Sequence, residues 1–472
     1  MKKTKIIATI TDKYTEEKLI AIFEAGVNIL RLNFSHAQRD TTAPLIALIH
    51  KLNNEGKTNL GILMDTKGPE VRTGVREQPY IYQKNEEFRI FIDKTKLEQD
   101  SDMFSDYEYL LEDIKVWNKI AIDGGLMMVI VKEVHVDHLL VLTENTCEIG
   151  SRRHMNFPGL VLRLPGITEK DKADFLLWIE HGIHYVAASF IRTTNNIKEI
   201  RDFLDKNWWE NIKICSKIEN QEGVDNIDAI VQLSDAIMIA RGDLGIETPI
   251  HELPYLQRYI LDACRKYWRT CIMATELLKS MTTSPFPTRA EVSDVYNSVI
   301  AGVDAVMLSD ETAIGKFPVE TVTLMRETVE EAEKHLVTEH KNFEITENNQ
   351  VSKDKKLIAK HALLLADELA AKCIIVFSHS GRFPKIIAGL KPNQPVFAFT
   401  THQNVIDEMR ILYAVQGMKF DQRESHTTEN QGKAIKILLE KKLIKSWDKI
   451  VIIGDKKRKE NTDPLIRVTV VD

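Results

Sequence analysis

The sequence predicts an α/β protein: a TIM (β/α)8 barrel with an inserted all-β domain and a C-terminal α/β domain. Three observations carry this. Eight short β-rich runs alternate with longer amphipathic helical stretches, the pattern of βα units around a parallel sheet. The gap between the third and fourth runs is too long for one connecting loop and is itself rich in short strands. A polar, charged stretch after about residue 332 separates the eighth unit from a further α/β region.

The eight runs are Lys5–Ile10, Ile29–Phe34, Leu60–Thr66, Tyr185–Phe190, Lys213–Glu219, Ala236–Gly242, Thr270–Thr275 and Ala305–Glu311. Helix-like segments such as Thr15–Gly26 and Val292–Gly302 lie between them, each closing on a glycine stop. Between the third and fourth runs, Phe88–Asp93, Lys119–Gly125, Leu126–Val134 and Leu139–Asn145 read as strands joined by turn residues. In the last region the strands expected are Cys373–Ser378, Pro395–Thr400, Lys449–Gly454 and Ile466–Val471. The domain division that follows is 1–67 and 166–345 for the barrel, 68–165 for the insert and 346–472 for the C-terminal domain.

Composition narrows the function. The 472 residues carry 63 Lys and Arg against 69 Asp and Glu, a net charge of −6, which argues against nucleic-acid binding by bulk electrostatics. Five scattered cysteines without a CxxC pair fit a reducing cytoplasm and offer neither a disulfide framework nor a zinc site. No apolar run approaches a membrane span, and the basic start reads as a first strand, its apolar stretch being too short and threonine-broken for a signal peptide.

Barrel enzymes place reactive groups at the C-terminal ends of their strands. The second run ends in RLNFSH, with Arg31, Asn33, Ser35 and His36. The third ends in MDTKGPEVR, with Asp65 and Thr66 at the tip and Glu70 and Arg72 beyond. The fifth ends in SKIEN, where Lys217 and Glu219 share a face because side chains alternate with period two. The sixth ends in ARGDLG, read as a glycine-flanked turn carrying Asp243, and the seventh brings Thr275. Two acids suited to a hard divalent cation, a lysine beside them and two arginines form a set matched to phosphoryl transfer. Neither GxxxxGK[ST] nor GxGxxG occurs, so the usual nucleotide-binding loops are excluded.

The strings RLNFSH, MDTKGPEVRTG, SKIENQEG, ARGDLG, MATELLKSM, PTRAEVSDVYN and DAVMLSDETAIGKFPVE resemble, in order, the motifs of pyruvate kinase. The resemblance implies transfer of a phosphoryl group from phosphoenolpyruvate to ADP, giving pyruvate and ATP, with Mg2+ and K+, in a cytoplasmic homotetramer. It further implies Lys217 and Thr275 as catalytic residues, and substrate held by Arg31, Lys217, Gly242, Asp243 and Thr275. Glu219 and Asp243 match the magnesium ligands; Asn33, Ser35, Asp65 and Thr66 match the potassium ligands. Asn33, Phe34, Ser35, His36 and Arg72 match nucleotide-side contacts, with Arg153 standing where the family has a lysine.

The chain departs from the family pattern at Thr11 and Asp12, which replace a Gly-Pro pair, and at Glu276 and Asp310, which add acid near the barrel mouth. In the C-terminal domain, FSHSGRFP resembles the effector phosphate loop, with Ser378, Ser380 and Arg382 as ligands and Phe383 in place of a hydroxyl. The basic run Lys456–Lys459 reads as a solvated loop, with an adapted anion site as the alternative. A magnesium-dependent lyase or aldolase on the same barrel would not need Arg72 and Arg153. A non-catalytic relative would be expected to lose Lys217, Glu219 or Asp243.

Overall fold

The computed structural model describes residues 2–35, 37–336, 338, 340, 353–420, 428–458 and 461–471. Eight parallel strands close into a barrel: Lys5–Ile10, Ile29–Asn33, Gly61–Asp65, Tyr185–Ala188, Lys213–Ile218, Ala236–Ala240, Thr270–Ala274 and Ala305–Leu308, in that order around the ring. The closing pair is the first strand with the eighth, Lys5 standing opposite Ala305. The expected eight-strand barrel is therefore present, each strand within a few residues of its expected run.

Local sequence explains the helices that wrap it. Thr15 caps the helix Glu16–Ala25, which ends on Gly26 at φ 129°. Thr288 and Glu291 form a reciprocal capping box for Arg289–Ala301, and Gly302 at φ 90° stops it. The apolar faces of these helices pack on the outward side chains of the strands, in one core that includes Ile6, Leu30, Ile62, Val186, Ile237 and Val306.

Between the third and fourth barrel strands the chain builds a seven-stranded sheet and a two-stranded ribbon. The longer strands, Glu87–Phe91, Lys119–Ile122, Met127–Val134 and His138–Thr143, lie where alternation predicted them. The domain is not purely β, because a single helical turn, Leu110–Asp113, buries Leu110 in its core. Both crossings into this inserted domain need glycine. A Cβ on Gly68, at φ +68°, would stand 2.8 Å from Ser189 Cβ, and one on Gly166 would stand 2.4 Å from Asn196 Cα.

The C-terminal domain is a five-stranded sheet ordered Val415–Lys419, Val396–Thr400, Cys373–Phe377, Lys449–Arg458, Asn461–Val470, parallel except for the last pair. The edge strand Val415–Lys419 was not anticipated, since Gln416 and Gly417 interrupt its apolar pattern. The expected division at 345/346 lies outside the described residues, and the side chains of the basic run Lys456–Lys459 do too. The domain docks beneath the barrel: Ile7, Leu63, Tyr185 and Met238 from inside the barrel belong to the same buried cluster as Leu363, Val376, Ile387 and Val451. No helix among the described residues is long and apolar enough to cross a membrane.

Candidate active site

At the C-terminal ends of the strands, Lys217 is the hub. Its Nζ donates to Ser189 Oγ at 2.7 Å and Asp65 Oδ1 at 3.1 Å, and lies 3.0 Å from Glu219 Oε1. Burial works against its charge, but Asp65 and Glu219 outweigh burial and hold the ammonium protonated well beyond its ordinary range. Asp65 in turn accepts Arg31 Nε at 2.5 Å, and Arg31 Nη1 donates to Thr9 Oγ1 at 2.9 Å. Burial raises the Asp65 pKa, yet Arg31 and Lys217 together more than reverse that and keep it a carboxylate. Among the described residues Arg31 Nη2 has no partner, so one edge of the guanidinium remains for a phosphate oxygen.

Glu219 is 1% exposed and its Oε2 accepts the Phe190 amide at 2.6 Å. It hydrogen-bonds Asp243, and burial pushes both carboxyls upward while Lys217 opposes it; the Asp243 charge adds to the shift on Glu219, and Glu70 and Asp65 add to that on Asp243. Two acids this close in a dry site cannot both ionise comfortably on their own; a cation between them removes the conflict. Among the described residues no group of three or more His, Cys, Asp or Glu stands ready to enclose a metal. A pair of carboxylates instead suits an ion that completes its shell with substrate and water oxygens, as magnesium does.

ARGDLG is not a turn, as the sequence had suggested, but a helix, Arg241–Glu247, with Asp243 in its first turn and Leu244 buried beneath it. Its approach is fixed by Arg241, whose guanidinium donates to the Thr275 carbonyl (Nη2, 2.5 Å) and pairs with Asp294 at 2.6 Å. The Gly242 amide donates to Thr275 Oγ1 at 2.9 Å. Thr275 and Glu276 both hold positive φ, 66° and 55°, and Phe190 holds 56°. A β-branched residue there is strained, and such strain gathers where geometry must be exact for chemistry.

The second and third strand tips meet in register, Asn33 opposite Asp65. Asn33 Oδ1 accepts the Ser35 amide at 3.0 Å, and the Thr66 carbonyl and hydroxyl accept from Ser189. These oxygens include one carboxylate, already balanced by Arg31 and Lys217, which suits a large monovalent cation better than a divalent one. Phe34 turns its ring into the core, 0% exposed and 5.3 Å from Trp178, so only its backbone faces the loop. His36 lies outside the described residues.

On the lid side, Arg72 is engaged with Glu70 through Nε at 2.7 Å and Nη2 at 2.5 Å, and with the Arg152 carbonyl through Nη1. Arg153 is half-exposed beside Asp123 at 3.5 Å. Glu276 is paired with Lys279, which offsets its added charge at the barrel mouth. In the C-terminal domain, Ser378 is buried with its Oγ accepting the Gly381 amide, and Ser380 is exposed. Arg382 reaches instead toward a cavity under the barrel, and Phe383 is core. Ser189 and Arg241 were not singled out from sequence; each acts on a neighbouring strand tip, a relationship that a linear motif does not display.

Residues 1–322 match the family described as pyruvate kinase, barrel domain, and residues 356–469 match pyruvate kinase, alpha/beta domain. The chain belongs to the pyruvate kinase family. A pyruvate kinase from Clostridium acetobutylicum is 35% identical over 475 residues, covering 100% of both chains. One from Bacillus licheniformis is 36% identical over 100% of this chain and 81% of its own length. Among solved structures, a pyruvate kinase from Cryptosporidium parvum superposes with a TM-score of 0.93 at 30% identity, covering 100% of this chain and 96% of that one. As a member of this family the chain is a phosphotransferase of the glycolytic step from phosphoenolpyruvate to pyruvate.

Proposed function

We propose that this site moves the phosphoryl group of phosphoenolpyruvate to ADP with Mg2+ held by Glu219 and Asp243 and K+ held by Asn33, Ser35, Asp65 and Thr66. The observation that carries the reading is the Lys217 ammonium set 3.0 Å from Glu219 and 3.1 Å from Asp65, beside a buried acid pair. Bound there, the divalent ion would neutralise charge on phosphoryl and enolate oxygens. Lys217 keeps its proton throughout and lowers the energy of negative charge passing between donor and acceptor oxygens. Arg31, braced on Asp65 and Thr9, orients the transferring group. Thr275 and the backbone of Gly242 and Asp243 hold the substrate carboxylate, with the Gly242 amide exchanging its present partner, Thr275 Oγ1, for substrate. The lid brings Arg72 and Arg153 to the nucleotide and excludes water that would hydrolyse the donor.

The division into a barrel at 1–67 and 166–345, a lid at 68–165 and a C-terminal domain at 346–472 is supported by the crowded glycines at both lid crossings. A homotetramer is supported by exposed apolar side chains on the barrel, including Ile250 at 69% and Tyr255 at 67%. Cytoplasmic residence is supported by five buried free cysteines. The deciding test is pyruvate formation from phosphoenolpyruvate and ADP in a coupled assay, with and without chelator. Activity that requires both substrates and is abolished by chelation is expected; activity indifferent to ADP or to chelation would overturn the assignment.

A further inference from the structure

The floor of the barrel, opposite the catalytic mouth, meets the C-terminal domain around a cavity of about 110 Å³. Its lining includes the first residues of the strands Tyr185–Ala188, Lys213–Ile218, Ala236–Ala240 and Thr270–Ala274, and the helix Arg382–Gly389 from the domain below. Among the described residues the lining carries seven Lys and Arg against three Asp and Glu. Two of those acids are occupied elsewhere. Asp304 holds Lys391 and the Cys271 amide, and Asp235 holds the Ile214 amide and Arg201. The third, Glu408, stands between two ammonium groups, Lys213 at 3.0 Å and Lys385 at 3.2 Å. Arg382 has no ion-pair partner among the described residues. Trp268 forms a wall, with Lys356 Nζ 4.9 Å from its ring centroid.

We propose that this cavity is a second anion site, separate from the catalytic one, which takes a small phosphate monoester bridging barrel and C-terminal domain. The half-buried Lys213 and Lys385 and the exposed Arg382 bring three cations from two domains to a space with one carboxylate between them, so positive charge remains unbalanced. A dianionic oxyanion with three acceptor oxygens satisfies that geometry; a neutral alcohol or a monocarboxylate does not. The space of about 110 Å³ is roomy enough for a phosphate group with a short alcohol. The loop that resembles the family's effector loop is a different place, because neither Ser378 nor Ser380 lines the cavity.

The test uses the full-length enzyme and glycerol 2-phosphate, read through the emission of Trp268 and compared with Trp268→Phe so that only the cavity is reported. Saturable binding is expected, with glycerol giving no change. Lys213→Gln combined with Lys385→Gln should weaken binding by about tenfold or more, the loss usual for charge-assisted hydrogen bonds. Should that double variant fail to fold, Glu408→Gln decides the matter: removal of the competing carboxylate is expected to tighten binding. Ser380→Ala should leave it unchanged. The proposal is overturned by the absence of any Trp268-dependent signal, by unchanged or weaker binding in Glu408→Gln, or by loss of the signal in Ser380→Ala.

Discussion

Glu247 Oε1 lies 2.8 Å from Asn156 Nδ2 and 3.2 Å from the Phe157 amide, so one carboxylate ties the helix bearing Asp243 to the strand by which the lid rejoins the barrel. Burial pushes the Glu247 pKa from 4.5 up to about 7, against the pull of those two donors. Because the folded value is raised, the folded protein keeps a proton that the unfolded chain releases. The group's contribution to stability is full below about 4.5 and is lost as pH climbs through about 7. Glu247→Gln cannot titrate. Wild-type Tm should therefore fall relative to the variant across that window and level off above it; parallel Tm–pH profiles would contradict the assignment.

Lys217→Met removes the ammonium that faces both Asp65 and Glu219. We expect kcat to drop by about three orders of magnitude or more, with KM for phosphoenolpyruvate much less affected. Protonation of the enolate does not use Lys217, so the variant should still exchange protons at the methyl carbon of pyruvate. Near-normal kcat would exclude the role.

Glu219→Gln halves the acid pair proposed to hold the divalent ion. The magnesium concentration for half-maximal activity should rise, and manganese, which favours similar oxygen ligands, should substitute in part. The measurement is a metal titration of initial rate, and an unchanged midpoint would refute the site.

Glu70 holds Arg72 at 2.5 Å, so Glu70→Lys removes that ion pair and puts a positive charge where the proposed potassium requirement can be tested. The wild-type enzyme should be strongly activated by potassium over tetramethylammonium at equal ionic strength, and Glu70→Lys should relieve the dependence. Equal kcat/KM for the wild type in the two salts would rule this out.

Thr275→Ala deletes the hydroxyl that accepts the Gly242 amide at 2.9 Å. We expect kcat/KM for phosphoenolpyruvate to fall by about a hundredfold while Thr275→Ser stays close to wild type. Equal losses in both variants would point to the backbone at φ 66° and not to the hydroxyl.

Much of this was legible in the chain. The barrel strands could be read because they are short apolar runs bounded by turn residues and alternating with helices, some of which carry a clear cap, as with Thr288 and Glu291. Period-two alternation places Lys217 and Glu219 on one face of the strand, and the two side chains meet at 3.0 Å. What escaped depended on neighbours distant in sequence. Ser189 matters because Lys217 and Thr66 converge on it. Arg241 matters because the Thr275 carbonyl and Asp294 are there to receive it. ARGDLG looked like a turn because two glycines disfavour helix; burial of Leu244 and the Arg241 anchor override that preference.

The lid and the C-terminal domain stand in opposite relations to the barrel. The lid keeps its own buried cluster around Tyr82, Phe88 and Val129, whereas Leu363, Val376 and Val451 share theirs with side chains from inside the barrel. The lid is thus a replaceable part: splicing a short linker across its two glycine crossings should leave a folded, inactive barrel. Truncation after the eighth barrel helix would strip the floor of its cover, exposing apolar surface that invites aggregation. Heating should accordingly release the lid as one calorimetric event and melt the remaining two domains together as another.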